Sequence, residues 1–449
     1  MQTTRLNTIA FVLICVVIVM TTMLYGAVHP PVIASFYLLT AVVVGMGAID
    51  GWRTGNFEIS RSPLQLPLVL LGLFAVVQII PFGTVVGNDG MRYPRTISLD
   101  PFSTQLTAVH IFALAAFFCA TLVLLKSQAR LRRVVAFLIV FGFAYAFYAI
   151  LQSVLSPDAI FGIYKPKGKP FGSFVNKHDF AAMIEMLIAV PLGMLFVGAV
   201  DRDKKMLYIV AIALMGAALL LSGSRGGFVA LLVEVFALVI MTSRAKGPKG
   251  IALRAALAIA LVVAAVGGAV FVGGDTSLTR LAAEAGSEDV SANRFRIWQT
   301  TIDVIRDSAP FGAGLGAYPQ AYTRFDPDSG QWIVQQAHND YLQIAADAGV
   351  VGIAIGGLFL FWFVRQGRRS IRTNDIFQRG IAVGAFAGCV AILTHSLFDF
   401  VLHITAVSVL FLILLAMLVA AGRNYSDDQI APPPMRRKAS VRSISERSI

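Results

Sequence analysis

Charge is what this chain of 449 residues has least of: only 14% of it is Asp, Glu, Lys or Arg, against roughly 25% in an ordinary soluble domain. So little charge cannot cover a water-facing surface of this size, which excludes a soluble globule and makes lipid the main solvent. Cysteine is also scarce. Cys15, Cys119 and Cys389 all sit inside apolar runs without metal spacing, so they read as small membrane-embedded hydrophobes and leave no basis for redox chemistry. No internal repeat is strong enough to suggest an inverted-repeat transporter. The net charge of +12 raises the question of nucleic acid, but basic cytoplasmic loops produce the same total, so no nucleic-acid partner is expected.

What the chain has is apolar length. It is 57% hydrophobic with a mean hydropathy of +0.74. Runs near 20 residues, enough to cross a bilayer core of roughly 30 Å, fall at 7–26, 32–49, 66–82, 104–125, 134–154, 179–200, 206–221, 227–242, 255–273, 347–364, 380–397 and 404–421. The reading is an all-α integral membrane protein of about twelve transmembrane helices. The first run reads as a retained span, since it is long, follows only Arg5 and lacks a small-residue cleavage site. Twelve spans put both termini on one side. The segments then sharing that side hold 25 of the 37 Lys and Arg residues, which assigns both termini to the cytosol. Residues 1–422 form one polytopic domain, with a mostly helical outer loop at 274–346 that faces the periplasm. The stretch 423–449, rich in Pro, Ser and Arg, reads as a disordered basic cytoplasmic tail that touches anionic lipid.

Five segments carry residues that a span does not need. In KPKGKPFGSFVNKHDFAAMIEM, Lys165, Lys167, Lys169 and Lys177 run against the charge bias. They form either an anion-collecting rim or a solvated loop, and Asn176 is either a helix cap or a polar contact to a lipid head group or sugar. In LLSGSRGGFVALL, Gly223, Gly226 and Gly227 suit a turn, whereas Arg225 at a membrane boundary either binds phosphate, pairs with an acid such as Glu185 or Glu234, or snorkels to the interface. In ANRFRIWQTTIDVIRDSAPFGAGLGAYPQAY, Arg294 and Arg296 precede an amphipathic helix, and a glycine-rich turn follows it. In QQAHNDYLQIAADAGVVG, helical spacing would put His338 and Tyr341 on one face and Asn339 on the next. His338 is either a structural histidine, the commoner role of a lone one, or an imidazole that moves a proton near neutral pH. In THSLFDFVLHITA, the spacing of His395, Asp399 and His403 fits either one helical face or, better, a turn at the mouth of a helix pair, with Asp399 and His403 lining the cavity. The helical-face spacing could hold a metal, but the turn fits better, and His338 has no ligand set at suitable spacing, so no metal site is expected.

In this order, GSFVNKHDFAAMIEM, LSGSRGG, RFRIWQTTIDVIRDSAPFGAGLGAY, AHNDYLQIAADAGVVG and HSLFDFVLHI resemble the O-antigen ligase/O-antigen polymerase superfamily of bacterial membrane glycosyltransferases, over roughly residues 165–420. The resemblance implies a glycan donor on undecaprenyl pyrophosphate, a lipid or glycan acceptor, and no cofactor, metal or nucleotide. It places the functional histidine on His338 and pyrophosphate-handling arginines on Arg225 and on Arg294 or Arg296. Asn176, Asn339, Tyr341, Asp399 and His403 are left as supporting or acceptor contacts. The FVNKHDF variant leaves Lys177, His178 and Asp179 unassigned. It implies an inner-membrane enzyme working on the periplasmic face, polymerising repeat units or ligating glycan to lipid A core or protein; a polymerase would be a natural partner for a chain-length regulator. A transporter would instead carry charged residues and helix breaks at mid-span on both sides.

Overall fold

The computed structural model describes residues 4–87, 89–242, 288–327 and 333–423. In chain order the helices are α1 (Arg5–Met23), α2 (Pro30–Thr54), α3 (Leu66–Ile79), α4 (Pro101–Leu124), α5 (Gln128–Leu155), α6 (Lys177–Val197), α7 (Lys205–Leu221), α8 (Arg225–Thr242), α9 (Glu288–Asp307), α10 (Tyr318–Tyr322), α11 (Asp340–Ile371), α12 (Ile376–His395) and α13 (Thr405–Ala421). Eleven of the twelve apolar runs fall on these helices. Eight of the helices are long and apolar enough to cross a membrane; those at Pro63–Ile79, Lys205–Leu221 and Thr405–Ala421 are apolar but shorter. The run at 255–273 and the tail from 424 lie outside the described residues, as does 274–287 of the expected outer loop.

One element departs from the all-α expectation: β1 (Thr84–Val86) and β2 (Arg92–Pro94) pair antiparallel in the connection after α3. Strands of three residues are too short to leave a period in the sequence.

Sequence sets where the helices begin. Asn176 caps α6, its side chain accepting from the His178 backbone N–H. Asp100, Ser127 and Asp375 cap α4, α5 and α12 in the same way. Each satisfies a backbone donor that lipid would leave unpaired.

The tightest crossing is between α6 and α12, and small residues make it. Along GIAVGAFAG, glycine recurs every fourth position at Gly380, Gly384 and Gly388. A Cβ on Gly384 would stand 2.6 Å from the Ala189 carbonyl oxygen, and one on Gly193 would stand 2.4 Å from Gly384 Cα. Without a hydrophobic drive between helices in lipid, this close backbone approach is what holds the pair through dispersion contacts. Helix α13 is buried all round, as a helix apolar on every face should be. Helix α2 instead turns Leu38, Val42, Val44 and Ile49 outward, the pattern of a lipid-facing helix.

The connections gather at two opposite ends. At one end Thr4 bonds Asp50, and Arg130 donates to the carbonyls of Leu124 and Asn7. There too Lys126 pairs with Glu58, and Arg132 lies 4.0 Å over the Phe377 ring. At the other end Ser173 donates to Thr22 O, Thr405 to Ala27 O and Gln78 to Phe311 O. Every connection grouped by charge on the cytosolic side and described here by such contacts sits at the first end. The residues singled out for chemistry sit at the second.

Candidate active site

Glycine-rich packing brings the site together. The backbone carbonyl of Asp347 accepts from Gln78 Nε2 at 2.9 Å and from Gly314 N at 3.0 Å. This docks the PFGAGLGAY turn onto the early turns of α11 and the last turn of α3. Cβ atoms on Gly312, Gly314 or Gly316 would collide with Asp347, Ser98 or Thr107. The close approach expected of this turn is therefore made to protein. With the turn fixed, α9 lies over the mouth of the bundle, and Trp298 Nε1 donates to Ala337 O at 3.0 Å.

His338 is not on a helix face, contrary to the spacing argument. It precedes α11 with φ +51, a left-handed conformation that L-residues adopt at a cost and that recurs where function demands it. Asn339 follows as the cap of α11, its Oδ1 accepting from Tyr341 N and Leu342 N at 3.0 Å and its Nδ2 donating to Leu397 O at 3.0 Å. His338 Nδ1 then lies 3.0 Å from Asp399 Oδ1, and the imidazole meets the Phe400 ring edge-on at 5.0 Å. The other carboxylate oxygen, Oδ2, accepts from Arg294 Nη2 at 3.2 Å, while Arg294 Nη1 donates to Phe398 O at 2.8 Å.

Asp399 is 2% exposed. Burial alone would raise its carboxyl, but the His338 hydrogen bond and the charges of His178, Arg294 and His338 outweigh it and hold the group well below the usual carboxylate range. An ionised Asp399 can only accept. Nδ1 of His338 therefore carries the hydrogen, and in the neutral ring Nε2 is the open acceptor. The ring remains about one-third exposed, its side chain 32% accessible, so Nε2 can meet a hydroxyl from outside.

Three further corrections concern the flanks. Arg294 and Arg296 lie inside α9 rather than before it. Two residues apart they point about 200° apart around the helix; Arg294 reaches Asp399, and Arg296 is exposed. Of the three glycines read as a turn only Gly223 serves as one, with φ +66. Gly226 and Gly227 lie within α8, packed against His395 and Ala181. Arg225 starts α8 at the mouth and is exposed, directly after Ser224, whose Oγ lies 2.8 Å from His178 Nδ1. Neither acid suggested as its partner serves. Glu185 meets His395 Nδ1 at 3.1 Å, and neither Glu234 oxygen has a hydrogen-bond partner.

The chain leaves α12 at His395, so His395, Asp399 and His403 do not share a helical face; the turn reading is the one realised. His403 nevertheless does not join Asp399. Its Nδ1 lies 2.7 Å from Asp340 Oδ1, and Tyr341 O–H donates to Leu393 O at 2.7 Å. These bonds clamp the start of α11 to the turn after α12. Among the described residues no three of His, Cys, Asp and Glu are grouped as a metal would require. Sequence reasoning named His178 without a role, placed Gln343 only on the face adjoining His338, and missed Asp340; Gln343 Oε1 accepts from Ala337 N at 2.7 Å. Their signal was proximity to His338 in AHNDYLQ.

The His403 clamp has a pH signature. Partial desolvation of this half-exposed imidazole pulls it down, but the hydrogen bond and charge of Asp340, with Asp347 beyond, lift it above its ordinary 6.5. A raised folded value means the stabilisation is complete below about pH 6.5 and is lost as pH rises through that folded value. The thermal midpoint of wild type should exceed that of His403→Gln near pH 6, and the gap should narrow by about pH 9. A gap unchanged over that range would show that no charged pair forms.

No curated protein matches this chain. Residues 210–371 match the O-antigen ligase family model, a stretch that includes Arg225, Arg294 and His338. Over that stretch, about a third of its length, the chain is similar to the O-antigen ligase family, and its apolar helices are those of a multi-pass membrane protein.

Proposed function

We propose that the chain is a bacterial inner-membrane glycosyltransferase that moves a glycan from undecaprenyl pyrophosphate to an acceptor hydroxyl on the periplasmic face. The observation that carries this reading is the His338–Asp399 pair, bonded through Nδ1 at the open end of the bundle with the imidazole about one-third exposed. The acceptor oxygen attacks the anomeric carbon as the bond from that carbon to the pyrophosphate oxygen breaks. The hydroxyl proton passes to His338 Nε2, and the pyrophosphate leaves with the bonding electrons. General base help of this kind is worth about 10²–10⁴-fold. Direct attack without a protein nucleophile inverts the carbon.

Charge on the leaving pyrophosphate falls to exposed Arg225 and Arg296. Arg294 keeps donors to spare beyond its bonds to Asp399 and Phe398 O, and so links the site to α9. Asn176, Asn339, Tyr341 and His403 act by fixing the helix ends. These protein groups supply the electrostatics the reaction needs, so we expect transfer to proceed in EDTA. The placing of Lys and Arg supports a periplasmic mouth and cytosolic termini.

The product we favour is a lengthened surface or exopolysaccharide chain, built by moving the growing glycan onto the next lipid-linked unit. Ligation to lipid A core is the second reading, favoured by the description of the matching family. Purified protein given an undecaprenyl-pyrophosphate glycan in detergent with EDTA decides, with products read by mass spectrometry. Growth in repeat-unit steps, lost in Arg225→Ala, is the expected result. Transfer only after lipid A core is added would make it a ligase. No transfer to any acceptor, with lipid-linked glycan crossing proteoliposomes instead, would overturn the enzyme reading.

A further inference from the structure

The end of the bundle opposite His338 contains a cavity of about 230 Å³ whose lining includes Arg61, Arg369, Arg423, Ser60, Ser62 and Gln366. Three separate elements converge there: the connection before α3, the last turn of α11 and the end of α13. Its walls are built rather than loose. Gln65 Nε2 holds the carbonyls of Ser60 and Ser62 at 2.8 and 3.0 Å, and Arg423 Nη2 donates to Leu122 O at 3.2 Å. Gly422 closes the wall, since a Cβ there would lie 2.4 Å from Ser370 Oγ.

Three guanidinium groups border this hollow, and among the described residues no acid lines it. Among the described residues none of the three arginines forms an ion pair. A helix C-terminus favours a cation, which accounts for Arg369 and Arg423 singly. It does not account for Arg61, which comes from a third element, or for Ser62 Oγ, which is buried without a hydrogen-bond partner. Like charges around a concave surface repel unless an anion sits between them. A phosphate satisfies both demands, since it takes forked guanidinium donors and accepts from a hydroxyl. The volume holds roughly seven waters at about 30 Å³ each, room for a phosphate with a small polar substituent. The cavity also lies at the ends of spans, the depth of lipid head groups.

We propose that this cavity binds the phosphate of an anionic phospholipid head group, a site separate from the one that handles the glycan donor. The test is native mass spectrometry and thermal unfolding of the delipidated protein in detergent. It is titrated in turn with phosphatidylglycerol, cardiolipin, phosphatidylcholine and inorganic phosphate. The anionic lipids should be retained and raise the midpoint. Arg61→Gln combined with Arg369→Gln should weaken them by about tenfold or more, since charged hydrogen bonds are lost. Arg61→Lys, which keeps the charge, should restore part of the binding, separating loss of the ligand from loss of the fold. Equal retention of phosphatidylcholine, or unchanged affinity in the double variant, would overturn the proposal. Protection by inorganic phosphate equal to that by lipid would overturn the lipid source.

Discussion

Asp399→Asn is expected to lower glycosyl transfer by about 10²–10⁴-fold, close to the loss from His338→Ala, with the protein still inserted and monodisperse. The substitution keeps the shape but replaces an acceptor-only carboxylate with an amide that can also present N–H donors. The hydrogen on His338 Nδ1 is then no longer dictated, and Nε2 ceases to be reliably the acceptor. The charge that balances an imidazolium formed during proton uptake is lost as well. Because the two residues act as one unit, the double variant should be little worse than either single one. The loss should fall on kcat, since neither group is assigned to donor binding. Transfer rates measured on purified protein with lipid-linked glycan check this. Wild-type rates in Asp399→Asn would remove Asp399 from the mechanism, and additive losses would mean that His338 and Asp399 act separately.

Gly349→Ala should be the most damaging single methyl in the described chain. Gly349 interrupts α11 at φ +57, ψ −145, a region essentially reserved for glycine. A Cβ there would lie 2.1 Å from the Pro310 carbonyl oxygen. Backbone strain and a backbone clash add, so a loss of about 3 kcal/mol or more is expected. Gly356, farther along α11, has nothing within 4 Å of its would-be Cβ. Gly356→Ala should therefore be neutral or stabilising by up to about 1 kcal/mol. Thermal unfolding of both variants in one detergent gives the comparison. Equal midpoints would mean that the interruption at Gly349 can be straightened without cost.

The helices were legible in the sequence because lipid imposes a length and an apolar composition that few other environments share. Asn176 could be read as a cap because capping is local, an Asn ahead of an apolar run. His338 and Asp399 were both legible as unusual residues, but not as a pair. Sixty-one positions separate them, and their meeting depends on how α11 and α12 pack. The choice between Arg294 and Arg296 was not legible either, because it requires the phase of α9 against the bundle. Glu185 and His395 each interrupt an apolar run alone, with no local partner to betray the bond between them. The interruption at Gly349 was hidden for a related reason: AADAGVVG reads as continuous helix, and the break depends on a distant partner, Pro310, whose carbonyl accepts from Val350 N at 2.9 Å.

The crossing of α6 and α12 works like the rivet of a pair of tongs. Gly193 and Gly384 touch well away from the mouth. From that rivet one arm rises about 22 Å to His178 and the other about 16 Å to His395. The first jaw ends beside Ser224 and Arg225, and the second leads into the turn that carries Asp399. A change of roughly 3° at the rivet moves the jaw tips by about 1 Å, a misplacement that can cost about 10²-fold in rate. On the proposed mechanism, the gap between Arg225 and His338 is thus set by two hydrogen atoms deep in the bundle, far from either side chain.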